Sequence, residues 1–265
     1  CRSPERCTEL VSRTQVRSDA WMQLPGVMFA LLAIPGVRAQ VAGPARLAGV
    51  FGDHMVLQRD QPLRVWGTAP PAQEVVVRFG DLERKGLTDA RGAWLVTLPA
   101  MAANDVGRDL LVDAGEAIVV RDVVVGDVWL CSGQSNMAMG LGSCEDAPAV
   151  AAARNPLIRY RPYFEHFAGT AQEDLRDQAA WRAISPDTAG GCTAVGYWFA
   201  QSVQPVVGIP IGLLECTVGG TEIECWMPPE AFSEFPENAP IAAQLQAAIA
   251  DWQRELVQSL PHVEA

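Results

Sequence analysis

The sequence predicts a small all-β sandwich over residues 45–121, followed by an α/β unit over residues 122–265. Three observations carry this. Residues 47–121 alternate apolar and polar side chains with period two between turn residues. Val123 to Cys131 is then a nearly continuous apolar run, as in a strand buried on both faces of a parallel sheet. Beyond it the apolar spacing becomes helical, then reverts to another short apolar run.

In the β segment, Val75, Val77 and Phe79 alternate with Val76 and Arg78, and Trp94, Val96 and Leu98 alternate with Leu95 and Thr97. Turns are expected at Pro70-Pro71, Asp89 to Gly92 and Asn104-Asp105. Short strands at this spacing read as a small sandwich.

In the α/β segment, Ser132 to Met137 follows the apolar strand as a polar loop. Val195, Trp198, Phe199, Ser202, Val203 and Val206 form the face of an amphipathic helix that Gly208-Ile209-Pro210 ends. Ile211 to Cys216 is a second buried strand, followed by a glycine loop at Gly219-Gly220. Ile241, Leu245, Ala248, Ile249, Trp252, Leu256 and Leu260 lie on one face of a last helix. Strand, loop, helix, strand, loop is α/β grammar, with the reactive loops at the carboxyl ends of the strands. Two strands and two or three helices leave the expected doubly wound layering incomplete.

Nearly half of the 265 residues are hydrophobic, 49%, enough for a real core. The formal net charge is -11. With no basic stripe to displace counterions, a nucleic-acid partner is excluded. The chain begins with Cys1, and its first Met is Met22. Residues 24–37 are apolar and interrupted only by Pro and Gly, ahead of Val37-Arg38-Ala39. Residues 22–39 are therefore expected to be a signal peptide, and residues 1–21 a leader with no structural role. The alternatives are a buried N-terminal helix or an untranslated leader. The run is too short and Pro-rich for a membrane span. A secreted or periplasmic location follows from the signal segment. Of seven Cys, Cys131, Cys144, Cys192, Cys216 and Cys225 lie beyond the leader. Export permits disulfides, but their pairing stays open. No Cys or His spacing resembles a metal site, so no metal and no cofactor is expected. Oligomeric state is open.

The residues with chemical promise are Gly133-Gln134-Ser135-Asn136-Met137, directly after a buried strand. A serine hydroxyl needs a base to take its proton and donors to hold the oxyanion. A tight turn at a strand end can hold it rigidly. With Met137 in the last place, this is not the G-x-S-x-G elbow. The bland alternative is a polar turn without chemistry.

The wider block Gly126-Asp127-Val128-Trp129-Leu130-Cys131-Ser132-Gly133-Gln134-Ser135-Asn136-Met137 resembles the nucleophile block of the sialate O-acetylesterase family, a branch of the SGNH hydrolases. Two further stretches match in order. Gly208 to Leu214 followed by Gly219-Gly220-Thr221-Glu222-Ile223-Glu224-Cys225-Trp226 resembles its oxyanion-glycine block. Phe51 to Arg59 with Val65-Trp66-Gly67 resembles its N-terminal β-domain. The resemblance covers residues 47–230 and implies a flavodoxin-like three-layer α/β sandwich. It also implies an esterase that removes acetyl groups from sugar hydroxyls through an acetyl-enzyme. On the matching positions it implies Ser135 as nucleophile, with the Ser135 backbone N–H and Gly219 or Gly220 as oxyanion donors. Gln134, Asn136, Thr221 and Glu224 are implied to bind substrate or support the loops. Val218 departs from the family's usual Trp before the glycines, which alters the pocket wall.

The family's Asn block and Asp-x-x-His block do not occur in these residues. Of the three His, His262 has Ser259 three residues earlier and His166 has Tyr163, while His54 lies in the β segment. None is expected to be the base. The chain is therefore expected to be a C-terminally truncated enzyme, inactive alone and poorly soluble. The partner is an acetylated carbohydrate, with sialic acid and other acetylated glycans left open. The alternative is a non-catalytic carbohydrate-binding protein or a pseudoenzyme fragment.

Overall fold

The computed structural model describes residues 43–144, 147–162, 174–175, 180–227, 231 and 235–259. The leader and signal-peptide expectations fall on residues 1–42, outside the described residues, as do His166 and His262. Eleven strands are described: β1 (Arg46–Leu47), β2 (Val56–Gln58), β3 (Leu63–Thr68), β4 (Glu74–Phe79), β5 (Leu82–Leu87), β6 (Ala93–Leu98), β7 (Asn104–Asp113), β8 (Ala117–Gly133), β9 (Asn155–Arg161), β10 (Arg182–Ile184) and β11 (Ile211–Thr217). Among the described residues, four α-helices with defined bounds accompany them: α1 (Ser135–Ala138), α2 (Ala147–Ala152), α3 (Ala194–Val207) and α4 (Ala239–Ser259). The class is mixed α/β, dominated by sheet.

β1, β3 and β6 form a three-stranded sheet. The remaining strands run β10-β9-β11-β8-β7-β4-β5 in one large sheet, with β2 beside β8. The period-two residues supply the core between them. Val65, Trp94, Val96 and Leu98 of the small sheet pack with Val75, Val77, Phe79, Leu110 and Val112 of the large one. Asn104-Asp105, expected as a turn, opens strand β7 instead.

β8 joins the two halves. Residues 117–125 pair antiparallel with β7, residues 124–126 pair parallel with β2, and residues 127–133 pair parallel with β11. The boundary expected between residues 121 and 122 lies inside this strand. β9 continues the parallel half beyond β11, and β10 adds an antiparallel edge.

β9 has no counterpart in the sequence reading, because its Arg159 and Arg161 look solvent-facing. Both are buried, Arg161 with 1% exposure. The Arg159 guanidinium donates to the His54 and Pro156 carbonyls and to both the carbonyl and the carboxylate of Asp122. Arg161 donates to the Gly49 and Pro162 carbonyls. These bonds replace the water that each guanidinium loses.

α3 spans the expected helix and ends at Gly208 in the left-handed conformation (φ 67°), whose N–H bonds the Gln204 carbonyl. Its buried face is not the apolar row. Ala194, Gly196, Tyr197, Ala200 and Gln204 face inward, while Trp198 is 45% and Val206 85% exposed. The reason is proximity. A Cβ on Gly196 would stand 2.9 Å from Cys131 Sγ and 3.3 Å from Leu213 Cδ1, so the helix backbone sits too close to the sheet for larger side chains. Among its described side chains, α4 buries none.

Candidate active site

The register of β8 and β11 brings the two sequence blocks together. Thr217 is paired with Gly133, so both strands end level at their carboxyl ends. The Val218 N–H bonds the Gly133 carbonyl at 3.1 Å and extends the pairing by one residue. The chain then turns sharply on each side. Gly133 has φ 145°, a conformation that favours glycine. Immediately after it, α1 begins with Ser135 in its first turn. The Met139 N–H closes that turn on the Ser135 carbonyl at 3.0 Å.

Ser135 is exposed. Its hydroxyl donates to Oε1 of Gln134 at 3.1 Å. An amide oxygen holds the hydroxyl but is too weak a base to take its proton. Gly219 lies opposite, where a Cβ would stand 3.8 Å from both Cα and Cβ of Ser135. The glycine loop is braced from within. The Thr221 hydroxyl donates to the Val218 carbonyl at 2.8 Å and accepts from the Trp226 indole N–H at 2.9 Å. Asn136 is exposed beside Ser135. Glu224 is half-buried, and its carbonyl accepts the Met227 N–H. Ser135, Gln134, Asn136, Gly219, Gly220 and Thr221 thus share one end of the parallel strands.

His54 is elsewhere. Its Nδ1 lies 2.7 Å from the Asp122 carboxylate. From Asp122 the extended β8 runs to Gly133, roughly 35 Å at about 3.3 Å per residue. Partial burial opposes ionisation of Asp122, but hydrogen bonds from His54 and Arg159 outweigh it and hold the carboxyl below its ordinary value. This His–Asp–Arg cluster fastens the segment before β2 to β8 and β9.

Behind the Ser135 turn lies a cluster that motif reading missed. Glu215 on β11 sits in register with Cys131 on β8. Burial raises the Glu215 pKa, opposed by the Thr193 N–H, which donates to its Oε1 at 2.8 Å, by the Cys192 thiol and by Arg182. Burial, with Glu215 beside it, pushes the Cys131 thiol up to about 11. Cys192 is pushed up too, by burial and by the same carboxylate. Cys131, Cys144, Cys192 and Cys216 are free thiols. The only available signal for this cluster was a charged residue inside an apolar strand run. No group of three or more His, Cys, Asp or Glu among the described residues is placed to hold a metal. No described helix is long and apolar enough to cross a membrane.

A family model described as carbohydrate esterase, sialic acid-specific acetylesterase matches residues 125–252, which include both loops of the site. The sialate O-acetylesterase of Mus musculus is 29% identical over 229 residues, 77% of this chain and 42% of that protein. That of Homo sapiens is 28% identical over 205 residues, 68% of this chain and 38% of that protein. The chain thus spans about two fifths of the length of these curated relatives. The crystal structure of a carbohydrate acetylesterase from Xanthomonas citri is similar with a TM-score of 0.69 and 40% identity, covering 71% of this chain and 43% of that one. The Ser135 turn and the glycine loop, held side by side at the strand ends, both fall within the stretch that is similar to the sialate O-acetylesterase family of carbohydrate esterases.

Proposed function

We propose that this chain carries the nucleophile and part of the oxyanion hole of a serine esterase that removes O-acetyl groups from carbohydrates. The observation that supports this most is the approach of Gly219 to Ser135 across the ends of β8 and β11. Ser135 Oγ attacks the acetyl carbonyl carbon and gives up its proton to a base. The first N–H groups of a helical turn have no partner within it, so the Ser135 N–H is free to face the developing oxyanion. An N–H of Gly219 or Gly220 is the second donor. Collapse of the tetrahedral intermediate breaks the ester bond, and the sugar hydroxyl leaves with the proton. Water then attacks the acetyl-enzyme and releases acetate and Ser135.

In this reading Gln134 and Thr221 support the two loops, while Asn136 and Glu224 border the substrate. No Asp-x-x-His occurs in the 265 residues, and His54 is held at the other end of β8. We therefore place the base outside these residues and expect them to be inactive by themselves. Residues 45–121 serve as a β-rich support and residues 122–265 as the esterase part. The substrate is an acetylated sialic acid or another acetylated glycan, met by a secreted or periplasmic protein.

The test is acetate release from O-acetylated sialosides and from acetylated xylan, by the full-length gene product and its Ser135→Ala variant. Loss of release in the variant by about 10³-fold or more supports the reading. A second reading, a non-catalytic glycan binder, draws on the missing Asp-x-x-His and expects glycan binding without acetate release.

A further inference from the structure

We propose that Glu215 is the positioning residue of the Ser135 turn, clamping from beneath the segment on which that turn rests; this rests on the esterase reading above. The connection is a chain of hydrogen bonds. The Glu215 carboxyl accepts the Thr193 N–H at 2.8 Å. The next residue, Ala194, donates its N–H to the Met139 carbonyl at 2.9 Å. Met139 in turn donates its N–H to the Ser135 carbonyl at 3.0 Å. Two further bonds tie the same segments. Leu141 N–H donates to the Cys192 carbonyl at 2.8 Å, and the Thr193 hydroxyl reaches Met137 Sδ at 3.6 Å.

The placement explains why a carboxyl stands in an apolar strand. Residues 192–194 enter α3 and cross beneath the Ser135 turn, and Thr193 pairs with Gly140 in an isolated bridge. The Thr193 N–H points back at β11, where it needs an acceptor inside the fold. An Ala or Leu at position 215 would leave that buried donor unpaired. Glu215 also stands two residues before Thr217, where β11 gives way to the glycine loop. One side chain therefore references both halves of the site to the same strand. Displacement of a reacting group by about 1 Å costs on the order of 10²-fold in rate, so a clamp at this place acts on turnover and not on binding.

The experiment compares Glu215→Gln and Glu215→Ala with wild-type full-length gene product in steady-state acetate release, with Ser135→Ala alongside. The Gln amide oxygen still accepts the Thr193 N–H. We expect Glu215→Gln to keep kcat within about threefold, and Glu215→Ala to lose about 10- to 100-fold in kcat with KM little changed. Amide hydrogen exchange at Thr193 in wild type is the second measurement, independent of whether the Ala variant folds. Slow exchange, retained in Glu215→Gln, is expected. Exchange at Thr193 as fast as in an open loop overturns the clamp. So does a Gln variant as impaired as the Ala variant, or an Ala variant at wild-type kcat while Ser135→Ala is inactive. Undiminished turnover in Ser135→Ala overturns the esterase reading and the clamp with it.

Discussion

Gly219 stands over Ser135: a Cβ placed on the glycine would lie 3.8 Å from both Cα and Cβ of the serine. That distance is an ordinary van der Waals contact, so Gly219→Ala folds. On the proposed esterase reading, the added methyl fills space that the acetyl group needs. We expect Tm within about 2 °C of wild type, since the surface change is worth about 0.5 kcal/mol or less. We expect kcat/KM to fall about tenfold. Parallel melting and steady-state measurements check the split.

Gly220 fails differently. Its φ is 76° and nothing lies near the position of a Cβ. Alanine there meets no clash but strains the backbone by about 1 kcal/mol. Gly220→Ala therefore moves the loop, and activity should fall together with local protection of residues 218–221 in hydrogen exchange. Gly220→Asn, which tolerates positive φ better, should recover part of both.

The stability of the chain should carry a pH signature of Glu215. Burial raises its folded pKa above the ordinary 4.5, against the Thr193 N–H, Cys192 and Arg182, with Cys131 and Tyr160 also facing it. The folded state thus holds the proton more tightly than the unfolded state. Its contribution is full below about 4.5 and is lost as pH rises through the folded value. Glu215→Gln removes this dependence. The Tm of the Gln variant relative to wild type should rise from pH 4 to pH 8. A difference that does not change with pH contradicts the assignment.

Cys131, with its thiol pushed up to about 11, and the buried Cys192 should resist alkylation by iodoacetamide at about pH 8 in the folded chain. Both should react at once in denaturant. Peptide mapping after a timed pulse reads this directly, and rapid labelling of either in the native chain contradicts their burial.

Arg159 predicts the largest loss of stability. Arg159→Met strips donors from the carbonyls of His54, Asp122 and Pro156 and from the Asp122 carboxylate. A loss of about 2–3 kcal/mol is expected, by equilibrium denaturation. His54→Gln, on the exposed side of the same cluster, should cost less than about 1 kcal/mol.

Much of this fold is legible from periodicity. Val75, Val77 and Phe79, and Trp94, Val96 and Leu98, are inward-facing where alternation puts them. Ile211 to Cys216 falls within a buried strand, and Val195 to Val206 within a helix. Three things were not legible. Arg159 and Arg161 hide β9, because a buried guanidinium bound to carbonyls looks like a surface residue in a sequence. The inward face of α3 is set by how closely Gly196 lets it approach Cys131 and Leu213, whereas hydrophobicity favours the opposite row. Glu215 matches no motif, and only its bond to Thr193 gives it meaning. Within the site, Ser135 and Gly219-Gly220 were legible as ordered blocks. The strand register that sets them face to face is a property of tertiary pairing.

The most direct measurement is labelling of the full-length gene product with a phosphonofluoridate, followed by peptide mass spectrometry. These reagents phosphonylate a serine only where a base and an oxyanion hole activate it. One adduct is expected, on Ser135, and none in Ser135→Ala. An adduct on another serine, with acetate release intact in Ser135→Ala, would contradict it.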